Sequence, residues 1–149
     1  MKTFDSTRPL VAAMAVGIAR ATLEEVQSFF QDNYLTGRAI PRYEAIRDQL
    51  AVGFRRIHAA RLLCWRAAWM ADLEIPNAKE ASISKAYAAQ EAVRVCSDAV
   101  MFLGAHGALR NSLVEKFYRD IKVFDIFEGT GQIQRIVISK RIIPGLKGF

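Results

Sequence analysis

The stretch Phe127-Glu128-Gly129-Thr130-Gly131-Gln132-Ile133-Gln134-Arg135 decides how this chain reads. It places a carboxylate on a short Gly-flanked turn, directly ahead of an amphipathic segment running to Ile143. Such a turn holds a side chain at a fixed point beside a helix N-terminus, whose positive end favours a negative charge. Two roles for Glu128 follow from the residues alone. It complements the helix that starts at Thr130, or it is a proton-abstracting base. A base needs a water-poor pocket and a backbone that a ligand can approach closely, and Phe127 and Gly129 supply one feature of each kind.

Working outward, the chain ahead of this turn reads as helices. A first block starts with Ser6-Thr7 as capping candidates and Pro9 in a first turn that tolerates proline. Its apolar stripe is Leu10, Met14, Gly17-Ile18, Ala21, Val26, Phe29 and Phe30, and it ends near Asn33, before Thr36-Gly37 and Pro41. A second block runs from Tyr43 to Glu74, about 45–50 Å if continuous. Ile46, Leu50, Phe54, Ile57, Arg61, Cys64, Ala68 and Ala71 step along it by three or four, and Ile75-Pro76-Asn77 stops it. The third block, Ala78 to Gly104, carries Ala86, Ala89, Val93, Cys96, Val100 and Leu103, with glycines at its end. The fourth is broken into a short helix at Ser112–Arg119, an apolar connector at Val123–Phe127 and a closing helix from Thr130 to Ile142. Short links between long amphipathic helices predict an all-α fold, an antiparallel up-down four-helix bundle.

Composition agrees with one globular domain: 149 residues, 52% apolar and 24% charged. The basic residues behind the net charge of +6 are scattered, and Arg42, Arg47, Arg55, Arg56 and Arg61 fall on one long helical segment among acids and apolar residues. That arrangement is a solvated face, not a nucleic-acid footprint, although attraction to a polyanionic small molecule such as a coenzyme A phosphate is compatible with it. No apolar run reaches the roughly 20 residues of a membrane span, and Met1–Asp5 lacks a signal-peptide core. These features predict a cytosolic protein, or a mitochondrial matrix protein in a eukaryote. Cys64 and Cys96 sit within apolar helical patterns and read as buried free thiols. His58 and His106 lack partners at ligand spacing, so no metal site is expected. His106 reads as a turn residue, and Trp65 and Trp69 as core or interface packing.

The ordered set of motifs resembles the C-terminal helical domain of the flavin-dependent acyl-CoA dehydrogenases. Phe4-Asp5-Ser6-Thr7-Arg8-Pro9 with Val11-Ala12-Ala13 and Val16-Gly17-Ile18-Ala19 is similar to its opening helix. Ala60-Arg61-Leu62-Leu63 and Arg66-Ala67-Ala68-Trp69 are similar to its second. Ala99-Val100, Leu103-Gly104, Val114-Glu115-Lys116 and Tyr118-Arg119-Asp120 match the third helix and the approach to the Glu-Gly-Thr turn. The resemblance implies α,β-dehydrogenation of an acyl-CoA thioester, with Glu128 as the base and FAD as hydride acceptor. An ordinary Glu, with a pKa of about 4.3, is a weak base for a carbon acid. Desolvation of the carboxylate and hydrogen bonds to the thioester oxygen narrow that gap. Some relatives place the base on the opening helix, at the position of Thr7, which carries no carboxylate here. By the same resemblance Thr130 and Gln132 contact FAD, and Phe4, Arg8 and Gly129 line the substrate side, although Arg8 could equally pair with Asp5. An electron-transfer flavoprotein or similar acceptor, and a homo-oligomer or a related subunit, are the implied partners.

The departures matter as well. Relatives carry Arg and Phe between the first two helices, reaching the FAD of a neighbouring subunit, where this chain has Asn33 and Thr36. A Gln is replaced by Met101, and a Gly-Gly pair reads Gly104-Ala105. Asn33 cannot replace a guanidinium as a phosphate partner. A specialised subunit of a mixed assembly, or repositioned FAD contacts, would account for this. Complete relatives have an N-terminal helical domain and a β-domain ahead of this bundle. The chain therefore reads over residues 1–149 as that C-terminal domain alone, trimmed or split off, expected to bind FAD weakly and to be inactive by itself. The alternative is a non-catalytic helical subunit or assembly module in which Glu128 is a relic.

Overall fold

Three long helices carry most of the apolar residues: α1 (Lys2–Leu35), α2 (Tyr43–Asp72) and α3 (Ala78–Leu103). A short α4 (Leu113–Asp120) and α5 (Gly131–Ile142) follow, with 3-10 turns at His106–Ala108 and Ile121–Asp125. This computed structural model describes residues 2–35, 43–143 and 145, and among them there is no strand. No helix of the described residues is long and apolar enough to cross a membrane.

Helix direction can be read from side-chain pairs. Arg8 reaches Ser82 and Thr22 lies 3.4 Å from Cys96, so α1 and α3 run parallel. Arg56 pairs with Glu91 and Arg66 with Glu80, so α2 runs against α3. Arg135 of α5 donates to Gln90, while Arg141 shares a cleft with Asp5 and the start of α3. The direction of these side-chain pairs alternates through α1, α2, α3 and α5.

Packing around α3 explains this arrangement. Ala81, Ala88, Ala89, Ala92, Val95, Cys96 and Ala99 are all buried, on more than one face of the helix. Small side chains let neighbouring helices approach closely while alanine favours the helix itself. Val11, Ala12, Ala15, Val16, Ala19 and Leu23 of α1 and Ile57, Ala60 and Cys64 of α2 close on it, with Ile121 and Phe124 at one end. A second cluster joins Val26 and Phe30 to Ala99, Leu103 and Val114.

Several expectations are corrected. The first helix begins before Ser6 and Thr7, so neither is an N-cap, and Pro9 is an interior residue. Its core face is the Val11–Ala12–Ala15–Ala19 side, which leaves Leu10 and Met14 exposed. Both sides of this helix are apolar at helical spacing, and periodicity alone does not choose between them. Along α2 the buried line is Gly53, Ile57, Ala60, Cys64 and Ala67, whereas Arg61, Ala68 and Ala71 face outward. Arg61 lies over the Trp65 ring at 4.4 Å. Trp65 and Trp69 are 56% and 58% exposed, so they are not core residues of this chain. The connector expected at Val123–Phe127 overlaps a 3-10 turn that spans Ile121–Asp125. Asn77 precedes α3 without capping it. Its side chain donates to the Ala67 carbonyl at 2.9 Å, tying the turn back to α2.

Cys64 and Cys96 are free and buried. Burial pushes each thiol up to about 11, from a usual value of 9.0. Ionised thiol at pH 8 is therefore about a hundredfold scarcer than for an exposed cysteine. Alkylation by iodoacetamide at that pH is expected to proceed through opening of the bundle, accelerating with sub-denaturing urea. Rapid modification of either thiol in the absence of denaturant would contradict the packing.

Candidate active site around Glu128

Glu128 sits where the start of α1, the first turns of α3 and the N-terminus of α5 converge. Its backbone is left-handed, with φ 57°, and Gly129 follows at φ 93°. A non-glycine residue in this region is strained and needs its surroundings to hold it. Two buried side chains do so. Lys85 of α3 donates to the Gly129 carbonyl at 2.6 Å and to the Asp125 carbonyl at 3.2 Å. Gln134 of α5 donates to the Gly129 carbonyl at 3.0 Å and the Glu128 carbonyl at 3.2 Å. Both side chains are 0% exposed.

The glycines around the bend have distinct reasons. A Cβ at Gly129 would lie 2.6 Å from Gln134 Nε2, in a conformation that side chains avoid. A Cβ at Gly131 would fall 2.8 Å from Asp125 Oδ1, so the Asp125 carboxylate rests against the opening of α5. Thr130 is the N-cap of α5, its hydroxyl accepting from the Ile133 amide at 3.5 Å.

Thr7 supplies the link across the bundle, its hydroxyl donating to Glu128 Oε2 at 2.8 Å. Thr7 thus orients the carboxylate of the turn from the opening helix. Glu128 Oε1 has no hydrogen-bond partner among the described residues, and the side chain is half-buried. Arg8, 6% exposed, donates to Asp5 and Ser82, each at 3.2 Å, while its Nε is buried without a partner among the described residues. It lies 5.8 Å from the ring of Phe4, which is itself exposed. Burial lowers the Lys85 pKa from its usual value, and Arg8 adds to that. The Asp125 and Glu128 carboxylates oppose it.

Of the residues singled out from sequence, Glu128, Gly129, Thr130, Phe4 and Arg8 thus gather at one end of the bundle. Gln132 is exposed on the first turn of α5. Asn33 and Met101 lie on other stretches of helix. The Asn33 amide donates to the Phe29 carbonyl at 2.7 Å, and Met101 is exposed. Thr36 is outside the described residues. His106 begins a 3-10 turn and packs on Phe29, ring centroids 5.3 Å apart. Sequence reasoning missed Lys85 and Gln134. For Lys85 a signal existed, because it occupies a core position in the series Ala81, Lys85, Ala88, Ala92, Val95, where a charge needs partners.

Residues 1–143 match the acyl-CoA dehydrogenase C-terminal domain, and the chain belongs to that family. It is 35% identical to the 3-(aryl)acrylate reductase of Clostridium sporogenes, over 96% of this chain and 38% of that protein. It is 36% identical to subunit CarC of the caffeyl-CoA reductase-Etf complex of Acetobacterium woodii, with the same coverage of each, 96% and 38%. The butyryl-CoA dehydrogenase structure from Megasphaera elsdenii superposes with a TM-score of 0.90 at 32% identity, covering 95% of this chain and 37% of that one. The chain thus spans little more than a third of the length of the relatives it matches.

The packing at Gly129 makes it sensitive in a way Gly17 is not, since Gly17 has open space around its Cβ position in mid-helix. Gly129→Ala is expected to lower stability by about 1–3 kcal/mol. Gly17→Ala is expected to raise it by about 0.5–1 kcal/mol. Urea denaturation of both variants measures the contrast, and equal effects would contradict the described bend.

Proposed function

We propose that this chain is the base-bearing domain of a flavin-dependent acyl-CoA dehydrogenase, with Glu128 removing the α-proton of an acyl-CoA thioester. The observation that carries this reading is the Glu128 carboxylate, held on a left-handed bend and oriented by Thr7. One oxygen is fixed by the hydroxyl, and Oε1 is left to take the proton. Gly129 leaves room for the Gln134 amide, which holds the backbone beside the carboxylate. Phe127 packs edge-on to Phe124 at 5.4 Å beside the turn and is itself partly exposed. In the reverse direction, protonated Glu128 would return the same proton to the α-carbon, so the geometry suits saturation of the double bond as well.

The residues at the head of α5 fit the anionic part of a flavin dinucleotide. The first-turn amides of this 12-residue helix point toward its N-terminus, with the Thr130 hydroxyl and the exposed Gln132 amide beside them. Thr130 and Gln132 are therefore the proposed FAD contacts of this chain. When bound, FAD supplies the acceptor for the β-hydrogen as hydride. On the substrate side, Phe4 and Gly129 are proposed to face the thioester, with Arg8 as an inner support through Asp5 and Ser82.

Partners follow from the same reading. Leu62, Trp65 and Trp69 form an exposed apolar line along α2, continued by Leu73 just past its end, which a second copy or a related subunit is proposed to cover. An electron-transfer flavoprotein is the proposed acceptor, in keeping with the Etf complex to which the CarC relative belongs. The isolated chain is proposed to lack turnover.

Glu128→Gln, introduced into the complete flavin-loaded assembly that carries this domain, tests the assignment. Turnover with an acyl-CoA is expected to fall by about 10²–10⁴-fold, with flavin content and melting temperature unchanged. Full activity in that variant would leave the domain a structural role only.

A further inference from the structure

Lys85 is a fully buried cation on α3 whose charge the packing of the helix does not require. A lysine at a helix surface runs its stem over apolar neighbours and keeps the ammonium in water. Lys85 does the opposite, being 0% exposed, with its Nζ turned toward the bend at Asp125–Gly129. Taking an ammonium out of water is costly unless partners replace the lost hydration. The partners here are two main-chain carbonyls, and they bracket Glu128: Asp125 lies three residues before it and Gly129 one residue after. The ammonium spans the bend and holds both of its ends to α3.

The neighbouring contacts give this hold a direction. Ser82, one turn ahead of Lys85 on α3, accepts from Arg8 of α1, and Thr7 of the same helix donates to the Glu128 carboxylate. The main chain of the bend and the side-chain oxygen of Glu128 are therefore referenced to adjacent turns of two parallel helices. Gln134 holds the bend from α5, its amide donating to the Gly129 and Glu128 carbonyls, and its Oε1 is buried without a partner among the described residues. Lys85 is the member that also reaches Asp125.

We infer that Lys85 is a positioning residue for the base: by bonding the Asp125 and Gly129 carbonyls it keeps Glu128 in left-handed backbone and aims its carboxylate. This rests on the assignment of Glu128 as the base. It adds that the aim is set from α3, through the main chain, by a residue that touches neither thioester nor flavin.

Three measurements test it. In the unaltered chain, NMR is expected to show hydrogen-bond scalar coupling between Lys85 Nζ and the Gly129 carbonyl carbon, and absence of that coupling overturns the inference. In Lys85→Met, the Ile126, Phe127 and Gln134 amides, bonded to Val123 and Thr130 around the bend, are expected to exchange about 10–100-fold faster, with core amides such as Ala19 and Ala60 unchanged. Lys85→Gln, which retains a donor without the charge, is expected to fall between the two. Exchange at wild-type rates in a folded Lys85→Met or Lys85→Gln variant overturns the inference. In the complete flavin-loaded assembly, Lys85→Met is expected to lower kcat by about 10–100-fold while KM changes by less than about threefold. A kcat equal to wild type overturns it, as does a loss confined to KM. The coupling and exchange results do not depend on what Glu128 does, whereas the Glu128→Gln result does not depend on Lys85, so failure of either idea is seen separately.

Discussion

The Gly129 carbonyl accepts two hydrogen bonds, one from Lys85 and one from Gln134, and the candidate site depends on that oxygen. It ties a strained bend to the central helix on one side and to the closing helix on the other. Without it, Glu128 would have no reason to remain in left-handed backbone, since nothing local favours that conformation for a non-glycine residue. The absence of a side chain at Gly129 leaves room for the Gln134 amide, and its absence at Gly131 leaves room for the Asp125 carboxylate. The Glu-Gly-Thr-Gly order is thus a packing requirement as much as a conformational one.

That bend is in turn placed by the alanine-rich α3. Because α1, α2 and α5 close on it across small residues, α3 is enclosed, and the charged side chains along it meet defined partners. Glu91 lies against Arg56 and Arg94, and Lys85 against the bend. The result is a group of opposite charges at one end of the bundle, comprising Asp5, Arg8, Lys85, Asp125 and Glu128. A bundle built from larger core residues would hold its helices farther apart and would not bring Thr7 of α1 within hydrogen-bond reach of a residue 121 positions later.

Much of this was legible in the sequence. Tyr43, Ala78 and Thr130 mark helix starts because proline or a capping residue precedes or occupies the boundary, and these are local signals. Glu128 and its glycines stood out for the same reason. The family resemblance rested on motifs in order along the chain, and the match over residues 1–143 agrees with it. What was not legible depended on distance or on ambiguity. Leu10 and Met14 offered as regular a stripe as Val11, Ala15 and Ala19, and only tertiary packing selects the smaller residues. Thr7 reads as a cap in the sequence because nothing local marks a partner for its hydroxyl so far along the chain. Gln134 carried no mark at all, since an amide in the first turns of a helix is ordinary.

The central claim is that a carboxylate at the head of α5 takes a proton from carbon. It is tested most directly by isotope exchange in the complete flavin-loaded assembly, incubated in D2O with an acyl-CoA that binds but is not oxidised. Mass spectrometry of the recovered thioester is expected to show deuterium entering at the α-carbon with the wild-type domain and none above the uncatalysed background with Glu128→Gln. Exchange at the wild-type rate in that variant would contradict the account and place the base elsewhere.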